Sequence, residues 1–163
     1  MQAYNSHDVE KLMSFYTDDI RFEVVGFFVK EGKEDIRKLT EYDAAVNVHM
    51  SISNIKVSGD TVTFTLIESN DWFRLAGVEE LIYEPNRIVF HGGLIKEIKT
   101  EITPESAKAA GEAWQAIMQW ASKERSEELA DLMPGGEFIY SAESARKWLA
   151  LLRQWREVTK HKI

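Results

Sequence analysis

From Thr61 apolar and polar residues alternate regularly, with Val62, Phe64 and Leu66 on one face, and the pattern predicts a strand running to Trp72. A second alternating region runs from Val78 to Ile102 and breaks at His91-Gly92-Gly93. Gly-Gly between runs of Ile, Val, Phe and Tyr predicts a tight hairpin, because glycine takes the positive φ values such turns need. After the turn, Ile98, Thr100 and Ile102 alternate with Glu97, Lys99 and Glu101, which describes one covered and one wet face. Earlier strands are predicted at Ile20 to Val24, at Phe27 to Val29 after Gly26, and around Val48 to Val57 before a turn at Ser58-Gly59-Asp60. Together these runs predict a curved antiparallel sheet.

Helical spacing governs the remainder. Val9, Leu12, Met13 and Tyr16 follow Ser6 as an N-cap, with Asp8 and Glu10 favouring the positive helix end and Thr17-Asp18-Asp19 as the stop. Lys33 to Val46 reads as a polar helix with Ile36 and Leu39 on its inner side. At Thr103 a cap residue precedes Pro104, whose missing N–H costs nothing at the first helical position. Ala107, Ala110, Trp114, Ile117, Met118 and Ala121 form one stripe. Past a turn at Pro134-Gly135-Gly136 and a cap at Ser141, Ala145, Trp148, Leu149, Leu152 and Trp155 form another. Stripes of this kind pack into a core or a dimer.

The chain of 163 residues fits one domain with a proper core. A net charge of −7 without a Lys/Arg cluster argues against nucleic acid and membrane surfaces as partners. With no cysteine there is no disulfide, thiolate nucleophile or cysteine-held zinc, and four scattered His without close carboxylate spacing predict no metal site. Neither a signal peptide nor a long apolar span is visible, so a cytoplasmic protein is expected.

Asn5, His7, Asp8, Leu12, Tyr16 and Asp19, followed by Gly93, Ile95 and Ile98, carry a resemblance to a known family. Over Ala3 to Thr103 the chain resembles the SnoaL-like branch of the nuclear-transport-factor-2-like superfamily. The resemblance implies an α+β cone, in which a curved sheet wraps helices and leaves a pocket, commonly in a homodimer. It also implies a range of functions: polyketide cyclases, ketosteroid isomerases, epoxide hydrolases, dehydratases and proteins without chemistry. The family's first helix normally begins well before the Asn-x-His-Asp motif, so the expectation here is a truncated first helix. Residues 1–103 are expected to form the cone and 104–163 a helical extension, packed on the same domain or on a dimer partner and covering that gap.

Where ketosteroid isomerases carry their general-base Asp, this chain offers Val24, and their oxyanion-binding Tyr would lie upstream of Met1. The last-strand position of the epoxide hydrolase Asp-Arg-Asp set corresponds to Thr100, and no Arg-x-Asp occurs between Glu68 and Trp72. Neither mechanism transfers.

Period-two geometry places Glu68, Asn70 and Trp72 on the face of Phe64 and Leu66. An apolar face that turns polar at one end fits a pocket mouth, with Glu68 as general acid or base and Asn70 polarising a carbonyl or enolate oxygen. The same pattern fits a strand that runs into solvent. Phe22, Trp72, Tyr83 and Thr100 are the expected pocket lining, although Tyr83 also suits simple packing. Asp71 falls on the opposite face, Pro85 marks a bulge, and His91 is expected in solvent beside the turn; the facing of His49 stays open. The resulting expectation is proton transfer on a small, largely apolar carbonyl or cyclic compound, with no metal or organic cofactor. The other reading is a non-catalytic ligand-binding or dimerisation module.

Overall fold

A computed structural model describes residues 1–160. Two short helices, Gln2–Asn5 (α1) and Val9–Met13 (α2), lead into the strands Tyr16–Val24 (β1) and Phe28–Glu31 (β2). Lys33–Ala45 (α3), His49–Ser58 (β3), Thr61–Ser69 (β4), Asp71–Ala76 (α4), Leu81–His91 (β5) and Leu94–Ile102 (β6) follow. Pro104–Glu124 (α5), Ser126–Leu132 (α6) and Ala142–Lys160 (α7) form the extension. The six strands make one curved, unclosed sheet in the order β2-β1-β6-β5-β4-β3. Among the described residues no helix is long and apolar enough to cross a membrane.

Four local expectations need correction. The sheet is not wholly antiparallel, since β1 runs parallel to β6. These two strands are far apart in sequence and no hairpin joins them, so no local pattern dictates their direction. Asp8 rather than Ser6 caps α2, accepting from the Lys11 N–H at 3.0 Å. Thr17-Asp18-Asp19 belongs to β1 instead of ending a helix. The strand expected to reach Trp72 stops at Ser69, because Asn70 accepts from the Phe73 N–H at 2.7 Å and starts α4.

The hairpin turn forms at Gly92 and Gly93, both at positive φ (57° and 80°). The register of β5 shifts between Tyr83 and Asn86, on either side of the cis Glu84–Pro85 peptide. Tyr83 pairs with Leu66 and Asn86 with Phe64, and in β6 they pair with Ile102 and Thr100. These partners all lie on one face, so the bulge turns Tyr83 and Asn86 to the same concave side although they are three residues apart.

The Asn5-x-His7-Asp8 motif ties the N-terminal helices to the sheet. The Asn5 side chain donates to the Met50 carbonyl at 2.9 Å and accepts from the Met50 N–H at 2.8 Å, as a neighbouring strand would. The His7 ring lies 3.0 Å from the Val48 carbonyl. This covers the first part of β3, an edge strand that is otherwise exposed.

Two apolar clusters hold the molecule. Leu12, Met13, Tyr16, Ile20 and Ile36 form the smaller. The larger joins Tyr42, Val46, Val48 and Trp72 of the first part of the chain to Ile117, Leu132, Trp148, Leu151 and Leu152 of the extension. The stripe on α7 is thus buried against α3 and α4 of its own chain, and Trp148 is fully buried.

Candidate functional site

Between α1, α2 and the concave face of the sheet lies a cavity of about 710 Å³, within the usual range for small-molecule pockets. Its walls are largely apolar, with Phe22, Phe64, Leu66, Ile88 and Ile98 prominent among them. A buried polar pair, Asn86 and Thr100, also lines it. The Thr100 hydroxyl donates to the Asn86 side-chain oxygen Oδ1, and the Asn86 side-chain amide donates to the Tyr83 backbone carbonyl at 2.7 Å.

Beyond Leu66 the concave face continues to Glu68, which pairs with Met50; Met50 lines the cavity and Glu68 lies past its wall. Glu68 accepts from the Asn70 amide at 2.9 Å, and the Tyr83 hydroxyl is near enough to act on its protonation. On the helical side Ile36, Leu39, Thr40 and Asp43 follow the spacing of one helix face, which carries the Asp43 carboxylate inward. Tyr4 lines the cavity and donates its hydroxyl to Asp43. Tyr42 and Tyr140 lie close enough to both carboxylates for their charges to act on the two hydroxyls.

Burial raises both carboxyl groups above their ordinary range. Asp43 is pushed up to about 8, by burial first and by the Glu68 charge second, against the opposing Tyr4 hydrogen bond. Glu68 is raised by burial, against hydrogen bonds from Tyr83 and Asn70. By accessible area both residues are half-buried. That measure averages over the whole residue, whereas protonation follows the surroundings of the carboxyl group itself. No Lys or Arg among the described residues compensates either charge. The surrounding phenols are all driven upward, Tyr16 to about 12 by burial and then by Asp43, so they remain proton donors at neutral pH.

Of the residues expected from the sequence, Phe22 and Thr100 line the cavity, whereas Tyr83 does not line it and lies with Glu68 past its wall, beside Asp43. Asn70 is buried, with its amide held between Glu68 and the start of α4, so it orients Glu68 rather than facing the cavity. Trp72 does not line the cavity; on α4 its ring stacks on Trp114 at 6.1 Å in the larger core. Asp71 pairs with Arg74, His49 and His91 are exposed, and Asn86 and Ile88 beyond Pro85 face inward. Asp43, Tyr4 and Tyr140 are not singled out by the sequence pattern. Asp43 has a visible signal all the same, a carboxylate seven residues after Ile36 on an apolar helix face. Among the described residues no three His, Asp or Glu side chains gather as metal ligands.

The profile of the SnoaL-like domain matches residues 1–98. The chain belongs to the SnoaL-like domain family. Solved structures share its fold at low identity. An epoxide hydrolase/cyclase-like enzyme of pyran ring formation in the polyether salinomycin superposes with a TM-score of 0.56 at 15% identity, over 64% of this chain and 85% of that one. An epoxide hydrolase of the LEH-like type from M. tuberculosis gives 0.56 at 14% identity, over 72% and 87%. An NTF2-like protein of unknown function from Cytophaga hutchinsonii gives 0.53 at 12% identity, over 64% and 83%. No curated protein sequence matches the chain. This SnoaL-like protein therefore shares an architecture with enzymes and with proteins of unknown function alike.

Proposed function

We propose that this SnoaL-like protein binds a small, largely apolar carbonyl or cyclic compound in the cone cavity and moves a proton on it through the Asp43–Glu68 pair. The observation that carries this reading is two buried, uncompensated carboxyl groups beside an apolar cavity, joined to it by Tyr4. A shared proton is easier to hold than two charges at close range. In this reading the ionised member takes a proton from the ligand and the protonated member returns one at another atom, as an isomerase, cyclase or hydrolase requires. Glu68 is the acid or base held in place by Asn70, Asp43 is its partner, and Tyr4, whose hydroxyl proton goes to Asp43, links that carboxyl to the cavity wall. Phe22 and Thr100 shape the space the ligand occupies.

A second reading, binding without turnover, is favoured by the position of Tyr4 between the cavity and Asp43. One experiment separates the two. Polycyclic ketones, lactones and epoxides are screened by thermal unfolding, where a ligand at about 100 times its dissociation constant raises the midpoint by roughly 5–11 °C. With a ligand that is turned over, Glu68→Gln is expected to lower kcat by about 10²–10⁴-fold while the thermal shift persists. Unchanged turnover in Glu68→Gln removes Glu68 from the chemistry; binding without turnover in the native protein selects the second reading.

A further inference from the structure

Asn86 of β5 and Thr100 of β6 are register partners, 2% and 4% exposed, and both line the cavity. Their surroundings on the concave face are apolar: Phe64 stands opposite Asn86 in β4, and Phe22, Ile88 and Ile98 share the wall. Asn86 reaches this face through the register shift that separates it from Tyr83. A buried amide on an apolar wall is costly unless its polar atoms are matched, so the valences this pair leaves open are informative.

The Tyr83 backbone carbonyl can only accept, so the Asn86 amide nitrogen faces it and Oδ1 is left toward Thr100. Oδ1 carries no hydrogen, and the one hydroxyl hydrogen of Thr100 is therefore committed to it. Toward any further partner the Thr100 oxygen can only accept. The Asn86 amide keeps one hydrogen to donate. A ligand hydroxyl meets both needs, because it donates one hydrogen and accepts another. A ketone or ether oxygen only accepts, and leaves the Thr100 oxygen unmatched. The charged side chains of the cavity wall, Asp8 and Lys11, are exposed on the side of α2, so the inner end suits a neutral group.

We propose that the Asn86–Thr100 pair is the recognition site for a hydroxyl of the ligand, so that the cavity takes a cyclic carbonyl compound bearing an alcohol. The inference rests on the cavity reading above and deepens it. Asn86 lies opposite Phe64, four residues of β4 from Glu68, which is roughly 13 Å along the strand. Over that distance the alcohol is held rather than transformed. Asn86 and Thr100 select and orient the ligand without entering the chemistry.

The test is a ligand-observed NMR titration of the native protein with compounds of one skeleton: a decalone with a hydroxyl on the far ring, its methyl ether, the corresponding dione and the parent decalone. The hydroxyketone is expected to bind about tenfold more tightly than the other three, the effect of one matched hydrogen-bonding group in a dry site. Asn86→Leu with Thr100→Val replaces both polar side chains by apolar ones of similar shape and should bring the four affinities together. Thr100→Ser keeps the hydroxyl and should keep the preference. A dione or ether that binds as tightly as the hydroxyketone overturns the proposal, as does a preference that survives the double substitution. The native series carries the test even where the double variant fails to fold. Equal binding of all four contradicts the hydroxyl site alone, whereas no binding by any of them contradicts the cavity reading and the proposal with it.

Discussion

Asp43 is a carboxylate on the apolar face of α3 with a phenol as its hydrogen-bond donor and another carboxylate as its electrostatic neighbour. Such a group stabilises the fold only while it is protonated. Its folded-state value, about 8, lies above the ordinary 3.8, so between these the folded chain binds more protons than the unfolded one. Stability therefore falls as pH rises through that window and levels off above it. Asp43→Asn keeps the shape and removes the charge. It should leave the thermal midpoint nearly unchanged near pH 4 and raise it progressively as pH climbs toward 8, where the added stability is on the order of a few kcal/mol. A variant less stable than the native protein in mild alkali would mean that the charged form is well accommodated. Asn70 also works at this scale: with one amide it starts α4 and holds Glu68, so helix placement and carboxylate orientation are coupled through one side chain.

The extension contributes to the core mainly through α7. Trp148 is fully buried against Trp114 at 5.6 Å and Phe138 at 5.4 Å, and Trp148→Ala is expected to cost about 3–5 kcal/mol in urea unfolding. A cost under roughly 1 kcal/mol would show that this packing does not hold the helix. The Asn5 clamp on β3 is smaller. Asn5→Ala removes two hydrogen bonds to Met50 and should cost about 1–3 kcal/mol; no measurable change in the unfolding midpoint would assign the tie to His7 alone.

Elements with a strong local rule are legible in the sequence. The Gly92-Gly93 hairpin, the alternating strand from Thr61 and the Thr103 cap of α5 appear where turn, period and cap chemistry put them. Trp72 departs from its expected place because the alternation continues past Ser69 while the Asn70 cap takes over. The parallel β1–β6 pairing has no local signature at all.

For the whole molecule, residues 1–98 set the family and the cone, and the extension buries the side of the cone near Tyr42, Val46 and Trp72. The cavity is foreseeable as a consequence of a curved sheet. The acid pair beside it is only half foreseeable, because Glu68 lies on an alternating strand whereas Asp43, Tyr4 and Tyr140 meet it only after α3, α1 and the segment before α7 have folded together. The sequence shows which faces are buried; which polar groups meet between those faces is set by tertiary structure.

The central claim is that Asp43 and Glu68 form a buried, proton-holding pair. The most direct measurement is a carbon-13 NMR titration of the Asp and Glu side-chain carboxyls of the substrate-free protein, with Asp43→Asn and Glu68→Gln used to assign the two signals. The expected result is a carboxyl that keeps its proton up to about pH 8, with the titration of each partner changed by neutralising the other. Two carboxyls that each titrate near the ordinary value of about 4, independently of one another, would contradict the pair and leave the cavity with no acid or base of its own.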